Sequence, residues 1–227
     1  MNNQFPILTN LPKIIHQIAP LNKELWHESW KECYQTWMWK DWEYKRWNDE
    51  EDMRNFILEK MPEFISIYDS LDKKIKKIDV FRFFLMYFEG GIYVDMDFEC
   101  CFPFHQKIKD EDIYLVESPF TDLERLHNSL MISKPFHPFW ILCIEEVKNT
   151  KDLDVIDATG PRFLDKMYKK YILTNPNSIF ILPFIFWNPP LWNLELFFST
   201  NTICRHYSTM MWKDPHEISS FKHKYKF

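Results

Sequence analysis

The chain contains very little glycine: three of its 227 residues, of which Gly90 and Gly91 are adjacent. Glycine tolerates a left-handed backbone and the close approach of another group, so a chain that uses it this rarely should place it where the backbone needs it. The scarcity also excludes an EF-hand calcium loop starting at Asp95, because that loop needs a glycine at its sixth position and Cys100 stands there.

Cysteine is sparse as well. The five cysteines include no C-x-x-C pair, and the neighbours Cys100 and Cys101 would point to opposite faces of a strand. A zinc site is therefore disfavoured, and free thiols in a reducing compartment are favoured. We expect a soluble, cytoplasmic chain, and any membrane anchor would have to lie outside these residues.

Long apolar runs and an excess of basic residues are also missing. The longest apolar stretch, 179–187, is interrupted by Pro183 and is far shorter than the ~20 residues of a membrane-spanning helix. Residues 1–10 lack the charged and apolar regions of a secretory signal. The net charge of -5 argues against a phosphate-backbone partner. We therefore expect no membrane span and no nucleic-acid binding.

The chain alternates between strand-like and helix-like patterns, which predicts one α/β domain over residues 1–227. Strands are predicted at 13–18, 44–47, 91–97, 113–117, 129–133 and 179–182. Helices are predicted at 25–36, 49–60, after Pro62, and at 74–89, 137–148 and 161–171, whereas the residues from 188 onward show little periodicity. The pattern indicates an open, mostly parallel sheet flanked by helices.

The segment from Gly90 to Asp97 is an apolar run that ends in two carboxylates. Gly90 stands where a left-handed cap would end the helix at 74–89. Alternation along a strand predicts that Asp95 and Asp97 point to the same side at its carboxyl end, where such sheets bind ligands. Two like charges this close need a neutralising partner, and carboxylate oxygens suit Mg²⁺ or Mn²⁺. We therefore predict a divalent cation that carries a diphosphate.

Asp79 and Arg82 lie one helical turn apart and therefore on one face of the predicted helix. One interpretation is a simple intrahelical ion pair, which contributes only a few tenths of a kcal/mol. Their neighbours are almost all apolar, so we favour the interpretation that both residues face an interior cleft with a functional role.

Several motifs occur in a characteristic order along the chain: Leu11-Pro12-Lys13-Ile14-Ile15-His16-Gln17-Ile18, Asp79-x-x-Arg82, Gly90 to Asp97, Asn128-Ser129, His137-Pro138-Phe139, Thr159-Gly160-Pro161, and His206-Tyr207 with Trp212. Together they resemble glycosyltransferase family 32, the DXD-containing sugar transferases that include fungal α-1,6-mannosyltransferases and bacterial capsule enzymes. The matches run through nearly the whole chain, and the block from Asp79 to Asp97 is the most specific part.

The resemblance implies a GT-A-type, Rossmann-like fold in a single catalytic domain. It also implies a UDP- or GDP-linked sugar donor, a Mn²⁺ or Mg²⁺ ion, and transfer of a hexose to a glycan or other hydroxyl acceptor with retention at the anomeric carbon. In physical terms, a cation and nearby donors would stabilise the charge that develops on the departing diphosphate.

By the same resemblance, Asp97 would bind the metal directly, and Asp95 would contact the donor and reach the metal through water. His206 resembles a third metal ligand. Asp79 and Arg82 would hold the hydroxyl groups of the sugar and belong with the two aspartates to the catalytic set.

The resemblance also assigns the nucleotide and sugar contacts. Tyr93 would line the nucleotide site, Asn128 would lie near the sugar, and the indole of Trp212 would meet the β-phosphate. Ile18 and Ala19 would lie beside the base, where the family has a tryptophan in place of Ala19. A ring from the tryptophan-rich segment 26–47 is therefore expected to replace it, unless base affinity is weak.

Three other features qualify the function. Ile78 and Met210-Met211 replace small polar residues of the family, which predicts slow turnover or a rearranged loop. Ala19 and Met210-Met211 also keep open a catalytically degenerate protein that binds a nucleotide sugar or a glycan. A phosphatase of the haloacid dehalogenase type, with Asp95 as nucleophile, is a further alternative that the following Phe98 and Glu99 fit poorly. His16 is expected to bond to backbone rather than to act in catalysis.

Overall fold

The computed structural model describes residues 11–48, 50–105 and 111–210. Six strands form the central sheet: β1 (Ile14–Ile18), β2 (Glu43–Trp47), β3 (Gly91–Val94), β5 (Ile113–Glu117), β6 (Leu126–Ser133) and β7 (Phe180–Leu182). They lie in the order β2-β1-β3-β6-β5-β7, and within this sheet β6 runs antiparallel to both neighbours while the other pairs are parallel. The predicted mostly parallel α/β sheet is confirmed.

The helices are α1 (Glu28–Cys33), α2 (Glu51–Lys60), α3 (Ile65–Asp69), α4 (Lys74–Phe88), α5 (Pro138–Thr150), α6 (Val155–Ala158), α7 (Pro161–Ile172), α8 (Phe184–Trp187) and α9 (Leu194–Phe197). Residues of α2, α3, α4, α5 and α7 form one hydrophobic cluster with one face of the sheet. The other face packs against a second, largely aromatic cluster that includes Trp37, Phe104 and Trp187. The sheet is therefore buried on both faces, which explains its apolar strands.

The paired glycines end α4 and start β3, as their scarcity predicts. Gly90 has a φ of +66° and its N–H donates to the carbonyl of Leu85, while Gly91 has a φ of +83°. A Cβ on Gly90 would lie 2.7 Å from the carbonyl oxygen of Ser133, and one on Gly91 would lie 2.5 Å from that of Ile14. Both the backbone conformation and the neighbouring strands thus require glycine here.

The single helix predicted at 25–36 is wrong. The structure has a 3-10 turn at Lys23–Leu25, helix α1, and a second 3-10 turn at Tyr34–Trp37. The segment is divided because two capping residues start separate helical turns: the side chains of Asn22, just before the segment, and of His27, within it, accept hydrogen bonds from the N–H groups of residues 24 and 29.

A second sheet of two short strands, β4 (Phe98–Cys100) and β8 (Cys204–His206), was not predicted from the sequence. Strands of three residues are too short to show an alternating pattern. Their pairing fixes the late segment beside the end of β3, because Phe98 faces His206 and the N–H of Tyr207 donates to the carbonyl of Asp97.

Other boundaries differ by a few residues. The helix predicted at 49–60 begins at Glu51, and position 49 lies outside the described residues. All five cysteines are free. No helix within the described ranges combines the length and the apolar character needed to cross a bilayer.

Candidate active site

A cavity of about 350 Å³ opens where β3 ends. Its wall includes residues from α4, from the connection between β3 and β4, from the loop between β5 and β6, from α6 and α7, and from the segment after β8. This is the carboxyl edge of the parallel strands, the place where open α/β sheets bind ligands. The cavity is the candidate active site.

Asp95 and Asp97 both line the cavity, but they reach it in a different way from the prediction. Strand β3 ends at Val94, and the two aspartates lie in the turn that leads to β4, where the N–H of Phe98 donates to the carbonyl of Asp95 at 3.1 Å. The turn, rather than strand alternation, therefore brings the two carboxylates together. Oxygens of both carboxylates and a ring nitrogen of His206 lie within 4.8 Å of one another.

Both carboxylate oxygens of Asp97 have interaction partners. Oδ1 lies 3.2 Å from Nε2 of His206, and Oδ2 accepts hydrogen bonds from the N–H and the hydroxyl of Thr209 at 2.7 and 2.9 Å. Burial acts to raise the pKa of Asp97, but the charge and hydrogen bond of His206 and the donors of Thr209 hold it well below its usual range. Asp97 is therefore a carboxylate at any ordinary pH.

His206 is the cation that balances Asp97 in this structure. Burial acts to lower the pKa of His206, but the charge and hydrogen bond of Asp97 outweigh burial and raise it. The ring also stacks on Phe98 at 4.6 Å between centroids, so its orientation is fixed.

Arg82 connects both ends of the acidic set. Its Nη2 lies 3.1 Å from Oδ1 of Asp95, and its Nη1 lies 3.3 Å from Oδ1 of Asp79. The hydroxyl of Tyr93 donates to Oδ1 of Asp95 at 2.6 Å, and the guanidinium lies 4.9 Å from the centre of the Tyr93 ring. Burial raises the pKa of Asp95 and the Arg82 charge opposes it, so the carboxylate depends on this arginine.

Asp79 is buried at the base of the cavity. Asn128 donates to its Oδ1 at 2.9 Å, and the hydroxyl of Thr159 donates to its Oδ2 at 3.1 Å. Burial raises the pKa of Asp79 to about 7, against the opposing charge of Arg82. The two interpretations of the sequence therefore both describe the structure, since Asp79 and Arg82 form an ion pair and also line the cleft.

The donor set of Asp95, Asp97 and His206 fits a divalent cation. Two carboxylates that face each other need a positive charge between them, and the imidazole of His206, whose pKa is raised by Asp97, lies beside both of them. Carboxylate oxygens with one imidazole nitrogen suit Mn²⁺, while Mg²⁺ prefers oxygen ligands alone. Binding would require His206 to release its proton, so the metal would replace one cation by another.

Not all of the predicted nucleotide contacts come together. Ile18 lines the cavity, whereas Ala19 is buried in a small cluster with Trp26 and Met96. The replacement ring expected from segment 26–47 has a candidate in Trp30, which lines the cavity and donates its indole N–H to the hydroxyl of Thr209 at 3.2 Å. The predicted contact of Trp212 lies outside the described residues, as does Met211.

Several cavity residues were missed by sequence reasoning. His127 lies with its ring 5.4 Å from that of His206, and burial lowers the pKa of His127 to about 3, so it is a neutral imidazole. Thr209 carries no local signal, because its role depends on a contact with the distant Asp97, and Thr159 was noted only as part of a motif of the resemblance, without its contact to Asp79. Glu124 was also missed and is one of several acids in a polar loop. By contrast, His16 bonds to the carbonyl of Gly90 at 3.0 Å, as expected.

The comparison with known protein families matches a range that includes residues of the cavity wall. Residues 27–114 match the family described as a glycosyltransferase sugar-binding region containing a DXD motif. The matched range includes Asp79, Arg82 and the Asp95-x-Asp97 motif. Residues 27–114 therefore carry the DXD-containing region of this glycosyltransferase family. The family resemblance noted from the sequence is confirmed.

Relatives of this glycosyltransferase chain include fungal proteins. Inositol phosphoceramide mannosyltransferase 2 of Schizosaccharomyces pombe is 33% identical over 175 residues, which cover 74% of this chain and 49% of the relative. Mannosyl phosphorylinositol ceramide synthase CSH1 of Saccharomyces cerevisiae is 30% identical over 169 residues, which cover 71% of this chain and 43% of the relative. The chain thus spans about half the length of these relatives.

Solved glycosyltransferase structures share the fold. The PaToxG glycosyltransferase aligns with a TM-score of 0.53 and 17% identity over 72% of this chain and 70% of its own. A glycosyltransferase involved in glycosylation of the major capsid of PBCV-1 aligns with a TM-score of 0.50 and 9% identity over 92% of this chain and 98% of its own. The predicted GT-A-type fold is confirmed by these alignments, which at such identities speak for the fold alone.

Proposed function

We propose that this chain is the catalytic domain of a metal-dependent, retaining glycosyltransferase that transfers a hexose from a nucleotide sugar to a hydroxyl acceptor. The observation that carries the proposal is the cluster of Asp95, Asp97 and His206 at the carboxyl edge of the sheet, in a chain whose residues 27–114 match the DXD family. The donor set favours Mn²⁺ over Mg²⁺.

The residues around the cluster have the chemistry that donor binding needs. When bound, the metal would supply positive charge to the diphosphate as it departs. Arg82 adds a fixed positive charge beside it, and the Nε of Arg82 is buried without a hydrogen-bond partner among the described residues. An unsatisfied buried donor of this kind is available to a sugar or phosphate oxygen. Asp79 and Asn128 would accept from and donate to hydroxyl groups of the transferred sugar.

For the donor, we propose mannose linked to a nucleoside diphosphate, because the named relatives are mannosyltransferases. Trp30 would stack on the base, since an indole face suits a heterocycle. Retention is proposed from the family resemblance. It is tested by NMR, which compares the anomeric configuration of the new glycosidic bond with that of the donor.

For the acceptor, we propose a hydroxylated ring attached to an apolar body, as in an inositol phosphoceramide. The names of the relatives suggest this class, and the wall of the cavity beyond the acidic cluster is apolar. Its members are Ile75, Ile78, Phe120, Leu123, Val155 and Ile156. Such a wall suits hydrocarbon better than a second polar sugar chain.

The proposal is tested by ligand-induced stabilisation and by transfer. In a thermal-shift screen of UDP- and GDP-sugars, the correct donor with Mn²⁺ should stabilise the wild-type chain, by about 2.7 kcal/mol at a hundred times its Kd. Asp97→Asn keeps the shape of the side chain but removes its charge, and it should abolish the Mn²⁺-dependent shift and transfer to a short-chain inositol phosphoceramide. Asp122→Asn, on an exposed loop position, serves as the control. Mn²⁺-dependent transfer by Asp97→Asn at the wild-type rate would refute the metal assignment.

The same experiment separates the two other functions considered. A donor-dependent shift with no product after long incubation would indicate a degenerate sugar-nucleotide-binding protein. The phosphatase alternative is disfavoured by the family match, and it predicts turnover of p-nitrophenyl phosphate that is lost in Asp95→Asn.

A further inference from the structure

Glu124 is a buried carboxyl in the wall of the cavity that the proposed donor site does not use. It lies in the loop between β5 and β6, and the residue is 7% exposed. The loop is closed by Ser118, whose hydroxyl donates to Oε1 of Glu124 at 3.0 Å and accepts from the N–H of Phe120 at 3.1 Å. One oxygen of the carboxyl is therefore held in place by the loop itself.

The other oxygen has no such support. Within residues 11–48, 50–105 and 111–210, Oε2 of Glu124 has no hydrogen-bond partner, and the side chain borders the cavity. A glutamine could close the loop equally well, so the loop alone does not explain a buried acid. Burial raises the pKa of Glu124 to about 7, and neither the Ser118 hydrogen bond nor the charge of Arg162 offsets it. A group kept in this state calls for a ligand that supplies the missing donors.

The largest charge effects on the pKa of Glu124 come from Arg162, Asp165 and Asp122, and not from the acidic cluster of Asp95 and Asp97. Arg162 does not neutralise it fully, because its Nε donates to Asp157 at 2.8 Å. Among the described residues, nothing supplies the missing donors, so a molecule in the cavity is the source that this geometry favours.

The residues around Glu124 indicate the chemical class of the ligand. Phe120, Leu123, Val155 and Ile156 line the cavity with it, and the ring of Phe120 is packed against Trp192 at 5.0 Å between centroids. An apolar and aromatic wall with one carboxyl suits a saturated ring that has C–H faces and hydroxyl groups on its edge. The packing against Trp192 fixes the orientation of the Phe120 ring, and the carboxyl of Glu124 would favour a ligand that has hydroxyl donors.

We propose that Glu124 binds hydroxyl groups of the acceptor's ring, through the oxygen that Ser118 leaves free. This inference rests on the proposed function, because it assigns the acceptor to the end of the cavity away from Asp95 and Asp97. It makes Glu124 a residue of acceptor specificity that neither the DXD motif nor the matched family region, which ends at residue 114, includes.

The test measures acceptor binding and transfer separately. The probe is a fluorescent, short-chain inositol phosphoceramide, whose binding is followed by anisotropy in the presence of Mn²⁺ and the donor's nucleoside diphosphate. Wild type, Glu124→Gln and the control Asp122→Asn are compared. Loss of a charge-assisted hydrogen bond should raise the Kd for the probe, and its KM in the transfer assay, about tenfold or more in Glu124→Gln. Asp122→Asn should behave as wild type.

The outcomes distinguish this inference from the proposed function. A thermal shift by Mn²⁺ and donor that is retained in Glu124→Gln would show that the donor site is intact. Probe binding that depends on Glu124 without any transfer by wild type would support the acceptor site and refute the transferase activity. Transfer by wild type with an unchanged probe Kd and KM in Glu124→Gln would overturn the role of Glu124. A wild-type chain that does not bind the probe would overturn the acceptor class and the role of Glu124 together.

Discussion

The two ends of the cavity differ in how their charges are balanced. At the DXD end, defined by Asp79, Arg82, Asp95, Asp97 and His206, each carboxylate lies within 3.3 Å of a cationic nitrogen and accepts further hydrogen bonds. At the apolar end, defined by Phe120, Leu123, Glu124, Val155 and Ile156, one carboxyl has one neutral hydrogen bond. At the DXD end every carboxylate has a basic nitrogen beside it, and the charge on one of these, His206, depends on a proton. At the apolar end the carboxyl of Glu124 has no such nitrogen partner among the described residues.

Because of this difference, mutations at the two ends should change the stability of the protein in different ways. In a balanced network, removal of one member leaves the remaining charges buried and unpaired, which costs more than the pair contributed. At an unbalanced site, removal of the lone charge relieves a desolvation cost. Mutations at the DXD end should therefore reduce stability as well as activity, whereas a conservative mutation at the apolar end should increase stability and reduce substrate binding.

The largest effect is expected for Arg82→Ala. It leaves Asp79 and Asp95 buried without their cation, and the free energy of unfolding should fall by about 3–5 kcal/mol in urea denaturation at neutral pH. Arg162→Ala removes an arginine that is paired with Asp157 at the cavity rim, 38% exposed in its side chain, and should cost about 1 kcal/mol or less. Equal losses in the two variants would show that the DXD end is not the tightly coupled network described here.

A smaller effect of opposite sign is expected for Glu124→Gln. Burial raises the pKa of Glu124 to about 7 in the folded chain from its ordinary 4.5, so the folded state binds a proton more tightly than the unfolded state. Wild-type stability should therefore fall as pH rises from about 4.5 to about 7, and the loss should persist above that. Glu124→Gln should remove this loss and be more stable than wild type at pH 8 by about 1–2 kcal/mol, with no gain at pH 4.5.

Urea denaturation at several pH values measures this difference. Asp122→Asn removes one of the smaller causes of the raised pKa of Glu124 but leaves its burial, so this control should keep most of the wild-type pH dependence. A Glu124→Gln variant that is less stable than wild type at pH 8 would show that the carboxylate has a partner in the protein, and the contrast between the two ends would then be lost. Greater stability together with weaker probe binding would be the expected trade-off at a binding site.

The sequence predicts the DXD end better than the apolar end for a physical reason. Asp95, Asp97, Asp79 and Arg82 are close in sequence to a helix end that needs glycine, so local patterns place them together. His206 reaches the same site through a three-residue strand pair, and only the family resemblance pointed to it. Residues such as Thr159 and Thr209 act through contacts with residues 80 and 112 positions away, which no local pattern encodes.

The helices and strands also divide into those that the sequence predicts well and those that it does not. Long periodic segments such as α4 and the β5 strand were predicted closely, because their burial is continuous along the element. Segment 25–36 was predicted wrongly as one helix, because the caps at Asn22 and His27 start two separate helical turns. Glu124 could not be singled out from the sequence, since only the fold shows that Ser118 holds one oxygen and leaves the other toward the cavity.

The smallest effect is expected for Thr209→Val, a variant that removes one hydrogen bond at the DXD end. Valine has the shape of threonine but lacks the hydroxyl that donates to Oδ2 of Asp97 and accepts from the indole of Trp30, while the backbone N–H of residue 209 still donates to Asp97. The free energy of unfolding should fall by about 1 kcal/mol. Because the hydroxyl also links Trp30 to Asp97, the carboxylate proposed to bind the metal, the donor-induced thermal shift in Mn²⁺ should fall with it. The exposed Thr121→Val is the control. A loss as large as that of Arg82→Ala would mean that the hydroxyl, and not the arginine, holds the DXD end together.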